Sequence, residues 1–209
     1  MNVMHKKGFV SLLIIGVILV ALGAGAMIFA FGNRTGAGCF GYGSNDSGVS
    51  TFNATEVKKL SLIPSTGVKI DKAKNTIEFY GSKVLIPIMA SPENGSMYSF
   101  GIYGLVNPTI IVHKDAQITV QLVNMDDDMY HGVVITSGAP PYFYMGTMMF
   151  DGPAFVNSYI PPLPEEKNSE YPESSTTFTV STLGTFYYIC QVMGHASKGM
   201  YGKFVVVVD

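Results

Sequence analysis

The chain has 209 residues and a formal net charge of −2, enough length for one domain with a substantial core and no basic surplus. It therefore lacks the electrostatic footprint of a nucleic-acid binder. Charged residues make up only 13%, so Ser, Thr, Asn, Gly and Tyr must supply the polar surface, which suits an acidic exterior where carboxylates lose their charge.

In chain order, residues 1–8 contain Lys6 and Lys7, and residues 9–31 form an uncharged apolar run. As a helix rising ~1.5 Å per residue, that run is long enough to cross a bilayer core of ~30 Å. The preceding lysines predict a cytoplasmic N-terminus and a transmembrane anchor, with the rest of the chain on the extracytoplasmic side of the cell membrane. A cleaved signal peptide would carry a shorter apolar stretch, about 7–15 residues. Cys39 follows small residues, as a lipid-attachment site would, but Gly36 stands where such sites carry an aliphatic residue. Residues 32–50 are rich in Gly, Ser and Asn and read as a flexible leash.

Residues 51–209 form the expected globular domain. Short runs of β-branched and aromatic residues between turn signals predict strands over 59–63, 76–80, 84–90, 99–103, 109–113, 117–124, 132–136, 177–181, 185–189 and 203–208. The last of these is apolar throughout and is expected to be buried on both faces. A short helix over 54–60 is the alternative at the domain's start. So many short strands with little helical periodicity predict an all-β sandwich. Residues 137–160 are rich in aromatics and Met. They are expected to pack over one edge of the sandwich, or in part to form an apolar collar, with Met145, Met148 or Met149 near a metal face. Residues 161–175, rich in Pro, Glu and Ser, read as a surface loop.

The chemistry concentrates near the C-terminus. Cys190, His195 and Met200 are evenly spaced in a loop punctuated by Gly194, Gly199 and Gly202, between a strand ending at Ile189 and the final strand. His131 opens another strand upstream. One thiolate, two imidazoles and a thioether suit a copper ion that must be comfortable as both Cu(I) and Cu(II). Zinc sites usually take closely spaced Cys or His pairs, and the chain has neither C-x2-C nor H-x3-H. His113 competes with His131 as the upstream imidazole, though it looks like an exposed turn residue, and Met193 competes with Met200 as the axial group. If Cys190 holds the metal, Cys39 has no disulfide partner within the chain.

Residues 187–202 (Tyr-Tyr-Ile-Cys-Gln-Val-Met-Gly-His-Ala-Ser-Lys-Gly-Met-Tyr-Gly) and 124–132 (Asn-Met-Asp-Asp-Asp-Met-Tyr-His-Gly) resemble the cupredoxins. Within them the pattern is most similar to sulfocyanins and next to rusticyanins. The resemblance implies a Greek-key β-sandwich and one type 1 copper ion, Cu(I)/Cu(II), held by His131, Cys190, His195 and Met200. It also implies one-electron transfer in the respiratory chain of acid-loving archaea, with a terminal haem–copper oxidase or a cytochrome as redox partner. Many cupredoxins place Asn after the first His; here it is Gly132, so a side-chain tether to the thiolate loop is missing.

Four His in all, one of them before the apolar run, are too few for the trinuclear cluster of a multicopper oxidase or the extra centre of a copper nitrite reductase. A binuclear copper domain needs a second Cys in the ligand loop. An electron carrier, not an enzyme, is the expected function. The alternative is a copper-binding protein for storage, delivery or resistance, suggested by the 12 Met.

Overall fold

Residues 49–144 and 152–208 are described in the computed structural model of the chain. The expected anchor at 9–31, most of the leash, Cys39, and Met145, Met148 and Met149 lie outside the described residues. Among the described residues no helix is long and apolar enough to cross a membrane.

The elements in order are β1 (Thr51–Asn53), α1 (Ala54–Leu60), β2 (Val68–Asp71), β3 (Thr76–Phe79), β4 (Lys83–Ala90), β5 (Phe100–Ile102) and β6 (Leu105–Val106). There follow β7 (Thr109–His113), β8 (Gln117–Asn124), β9 (His131–Thr136), β10 (Tyr159–Leu163), β11 (Glu170–Thr179), β12 (Gly184–Ile189) and β13 (Tyr201–Val207). They build two sheets, one ordered β1-β11-β8-β4-β5-β6 and the other β10-β9-β12-β13-β7-β3-β2. This is the all-β sandwich expected from the sequence.

Alternation explains the layers. Along β8, Ile118, Val120 and Leu122 are buried while Thr119 and Gln121 face outward, where Thr119 meets Thr177 at 2.9 Å between hydroxyls. Ile86, Ile88, Ile118, Leu122 and Phe178 from one sheet share a core with Ile110, Ile135, Tyr188 and Phe204 from the other. Each such side chain contributes roughly 1.5–3 kcal/mol by leaving water.

Three expectations need correction. The final apolar run is not buried on both faces: Phe204 and Val206 face the core, while Val205 and Val207 are half-covered and Val208 is exposed. Its sheet packs on the other sheet with one face only, so even an all-apolar strand alternates in burial. The expected loop at 161–175 holds the end of β10 and the start of β11. Pro161 and Pro162 are tolerated because β10 is an edge strand with a register shift between Ile160 and Leu163. The strand expected at 59–63 is absent. Asn53 instead caps α1, accepting from the amides of Thr55 (2.9 Å) and Glu56 (3.1 Å), while the Glu56 carboxylate accepts from the Asn53 amide at 2.8 Å. Leu62 and Ile63, beyond that helix, are exposed.

Candidate metal centre

Strand direction gathers the ligand residues. β12 runs antiparallel to both β9 and β13, with Ile189 opposite Val134 on one side and Tyr201 on the other. The start of β9, the end of β12 and the start of β13 therefore meet at one end of the sandwich. His131 is the first residue of β9, Cys190 follows β12 and Met200 precedes β13. The Cys190 amide donates to the Met200 carbonyl at 3.0 Å, and the Met200 amide donates to the His195 carbonyl at 3.1 Å.

Between them the loop is tightly wound. A 3-10 turn spans Ala196–Lys198, and Gly199, at φ 106, takes the left-handed conformation that turns the chain into Met200. Asn107, in the connection between β6 and β7, donates its side-chain amide to the Gly199 carbonyl at 3.0 Å. The Gly194 amide donates to the Tyr144 carbonyl at 3.0 Å, so part of the aromatic insertion braces this loop.

The result is a sealed cluster. His131 and Cys190 have no exposed surface, His195 is 6% exposed, and Met200 is wholly buried in the same core as Cys190. The Nδ1 atoms of His131 and His195 are 3.2 Å apart, and Cys190 Sγ lies 3.9 Å from the first and 3.6 Å from the second. With bonds of about 2.0–2.1 Å to nitrogen and 2.3 Å to sulfur, a trigonal ion would separate such donors by roughly 3.6–3.8 Å. The observed separations bracket those values, so the donor set fits a single metal ion.

Protonation is set by burial and by neighbours. Burial pushes the Cys190 thiol up to about 11, although the amides of Gly132 and Val192 point at its sulfur and act the other way. Burial lowers His131 despite its carboxylate neighbour, Asp126. Burial, then the His131 and Lys198 charges, lowers His195 to about 4. Both imidazoles are thus neutral near pH 7 and free to offer lone pairs. The Asp126 carboxylate lies 3.1 Å from His131 Nε2, which places the ring proton there and leaves Nδ1 facing Cys190 and His195.

The rivals are placed elsewhere. His113 ends β7 opposite Val207, at the other end of β13 from Met200, and there it pairs with Glu78 at 3.6 Å and packs on Tyr80. It is largely covered, not the exposed turn residue expected. Met193 is 53% exposed, whereas Met200 is wholly buried, in the same core cluster as Cys190.

Asp126 and Gln191 were not expected. Asp126 reads in sequence as part of an acidic turn; its signal is an acid shortly before a metal-type His. Gln191 supplies the tether that Gly132 lacks, donating its amide to the Ile160 carbonyl at 2.7 Å. That bond links the ligand loop to β10 and leaves no sequence signal, because its partner lies far along the chain.

No protein-family model matches the chain. Rusticyanin from Acidithiobacillus ferridurans is 30% identical over 188 residues, covering 90% of this chain and 93% of its own. Rusticyanin from Acidithiobacillus ferrooxidans is 30% identical over 154 residues, 71% of this chain and 79% of that one. Among solved structures, rusticyanin from Thiobacillus ferrooxidans superposes with a TM-score of 0.67 at 26% identity, over 76% of this chain and 96% of that one. A reduced rusticyanin gives the same TM-score and identity, over 76% and 99%. These relatives carry the name of the subgroup expected second; sulfocyanin, expected first, is not among their names.

Proposed function

The chain belongs to the rusticyanin family of cupredoxins, and we propose that it passes single electrons between redox partners through one type 1 copper ion held by His131, Cys190, His195 and Met200. The observation that carries this reading is the burial of one thiol and two imidazoles within mutual ligand distance, beside a buried thioether. Copper in such a set supplies a one-electron Cu(I)/Cu(II) couple.

The protein's own residues make that couple usable. Strand ends and backbone hydrogen bonds hold Cys190, His195 and Met200 in place without metal, so little rearrangement accompanies a change of charge. The core around Cys190 excludes water. His195 lies nearest the surface. Tyr98 meets its ring edge-on at 5.1 Å, and Lys198 Nζ holds the Tyr98 hydroxyl at 2.8 Å. Met97, next to Tyr98 in the chain, Met193, next to Gly194, and Tyr144, whose ring lies over Gly194, are exposed. They suit a docking face for an electron-transfer partner.

The sequence supports membrane attachment by residues 9–31, with the copper domain on the outer face and a respiratory partner such as a terminal haem–copper oxidase or cytochrome. Fractionation of cells expressing the full chain, or the chain lacking residues 1–31, tests the anchor: only the full chain should pellet with membranes. Coulometric cycling of the copper-loaded protein tests the electron carrier. One electron per chain, taken up and released repeatedly with the copper retained, is the expected result. Loss of copper at each reduction would favour storage or delivery.

A further inference from the structure

The back of the metal site is closed by a carboxylate with almost no freedom. Asp126 is 5% exposed. Its Oδ2 lies 3.1 Å from His131 Nε2, and its Oδ1 accepts the amides of Asp128 and Met129, each at 3.1 Å. Its backbone is pinned as well: its amide donates to Asn124 Oδ1 at 3.1 Å, and its carbonyl accepts the Glu166 amide at 2.7 Å. Asn124, wholly buried, donates its side-chain amide to the carbonyls of Met129 (2.8 Å), Pro164 (2.7 Å) and Leu163 (3.3 Å). The loop between β8 and β9 is therefore folded around one carboxylate aimed at one imidazole.

Amide donors on Oδ1 and the imidazole facing Oδ2 stabilise the carboxylate form. The group is an anion one imidazole away from the metal position.

Resting on the copper reading above, we propose that Asp126 is a positioning residue of the metal centre. Through the Nε2 proton it fixes His131 in the tautomer whose Nδ1 faces Cys190 and His195, and its negative charge favours Cu(II) over Cu(I). Partners of this kind raise the basicity of a ligating imidazole, and their loss typically costs about 10–100-fold in metal affinity. A role confined to shaping the loop would leave the balance between the two copper states untouched.

The test has two parts. In the metal-free wild-type protein, nitrogen NMR of His131 should show a protonated Nε2, protected from exchange, and a bare Nδ1; a proton on Nδ1 overturns the proposal without any variant. In Asp126→Asn, which keeps an acceptor oxygen and removes the charge, the protein should still bind copper and turn blue. Its Cu(II) affinity should fall about tenfold relative to Cu(I), read as a potential higher by about 59 mV. An unchanged potential in the blue variant overturns the proposal. Wild-type protein that fails to turn blue with copper would instead overturn the copper reading itself. Should Asp126→Asn not fold, the wild-type tautomer decides.

Discussion

Gln191 lies across Gly132. A Cβ on residue 132 would sit 2.8 Å from Gln191 Cδ and 2.9 Å from the Ile160 carbonyl oxygen that Gln191 binds. The missing side chain at 132 and the long one at 191 are thus one arrangement: the tether runs from the thiolate loop outward to β10. We expect Gly132→Ala to destabilise the metal-free protein by about 1–3 kcal/mol through overpacking. Gln191→Ala should cost about 0.5–1.5 kcal/mol for the lost hydrogen bond. The double variant should lose at least 0.5 kcal/mol less than the sum, roughly the smallest coupling that neighbouring residues show. Urea denaturation of all four proteins measures this, and strict additivity would refute it.

Copper uptake should release one proton per chain near neutral pH. His131 and His195 are already neutral there, the first lowered by burial and the second held at about 4. Burial holds the Cys190 thiol at about 11, so it is protonated before metal binds and a thiolate afterwards. The free protein thus carries one more proton than the loaded one, and affinity must fall as pH falls, tenfold per unit. In acid the fall steepens further as the imidazoles take up protons, His195 at about pH 4. Competition titrations with a chelator across about pH 7–8 check the tenfold slope.

Tyr98 should guard the exposed side of the site. Its ring meets His195 edge-on and is held by Lys198 from outside. Removing it in Tyr98→Ala forfeits an aromatic contact of about 0.5–1.5 kcal/mol, equivalent to roughly two- to tenfold in rate. We expect copper extraction by a chelator to speed up by that factor, and the metal-free protein to lose stability as well, because Tyr98 packs on the core. An unchanged extraction rate would mean that Tyr98 does not cover His195 in solution.

The capping box at the domain's start should matter for stability alone. Asn53→Ala removes the side-chain acceptor from the amides of Thr55 and Glu56 and should cost about 1 kcal/mol. Because α1 packs in a cluster with Met89 and Val123 that contains none of the four ligands, the copper spectrum should not move. A changed spectrum would show that this helix communicates with the site.

Much of this was legible in the chain because its signals are local. The strands expected at 109–113 and 117–124 match β7 and β8 end for end, since alternating apolar residues there are bounded by sharp turns. The ligands Cys190, His195 and Met200 share one glycine-punctuated loop, and their side-chain types are rare enough to stand out. Features that depend on distant partners were not legible. Pro161 and Pro162 read as a loop until β10 is seen to be an edge strand, and the polar stretch opening β11 becomes a strand only through pairing with β1 and β8. Lys59 to Ile63 looks strand-like by composition, but the Asn53–Glu56 box commits the preceding turn to helix. Asp126 and Gln191 act through hydrogen bonds to residues that no periodicity links to them.

The most direct test is the visible spectrum of the metal-free domain, residues 49–209, titrated with Cu(II). An intense blue band that saturates at one copper per chain, bleaches on adding a one-electron reductant, and is absent in Cys190→Ser is the predicted result. A wild-type domain that binds copper yet stays colourless, or a Cys190→Ser variant that stays blue, would contradict a copper ion bonded to the Cys190 thiolate.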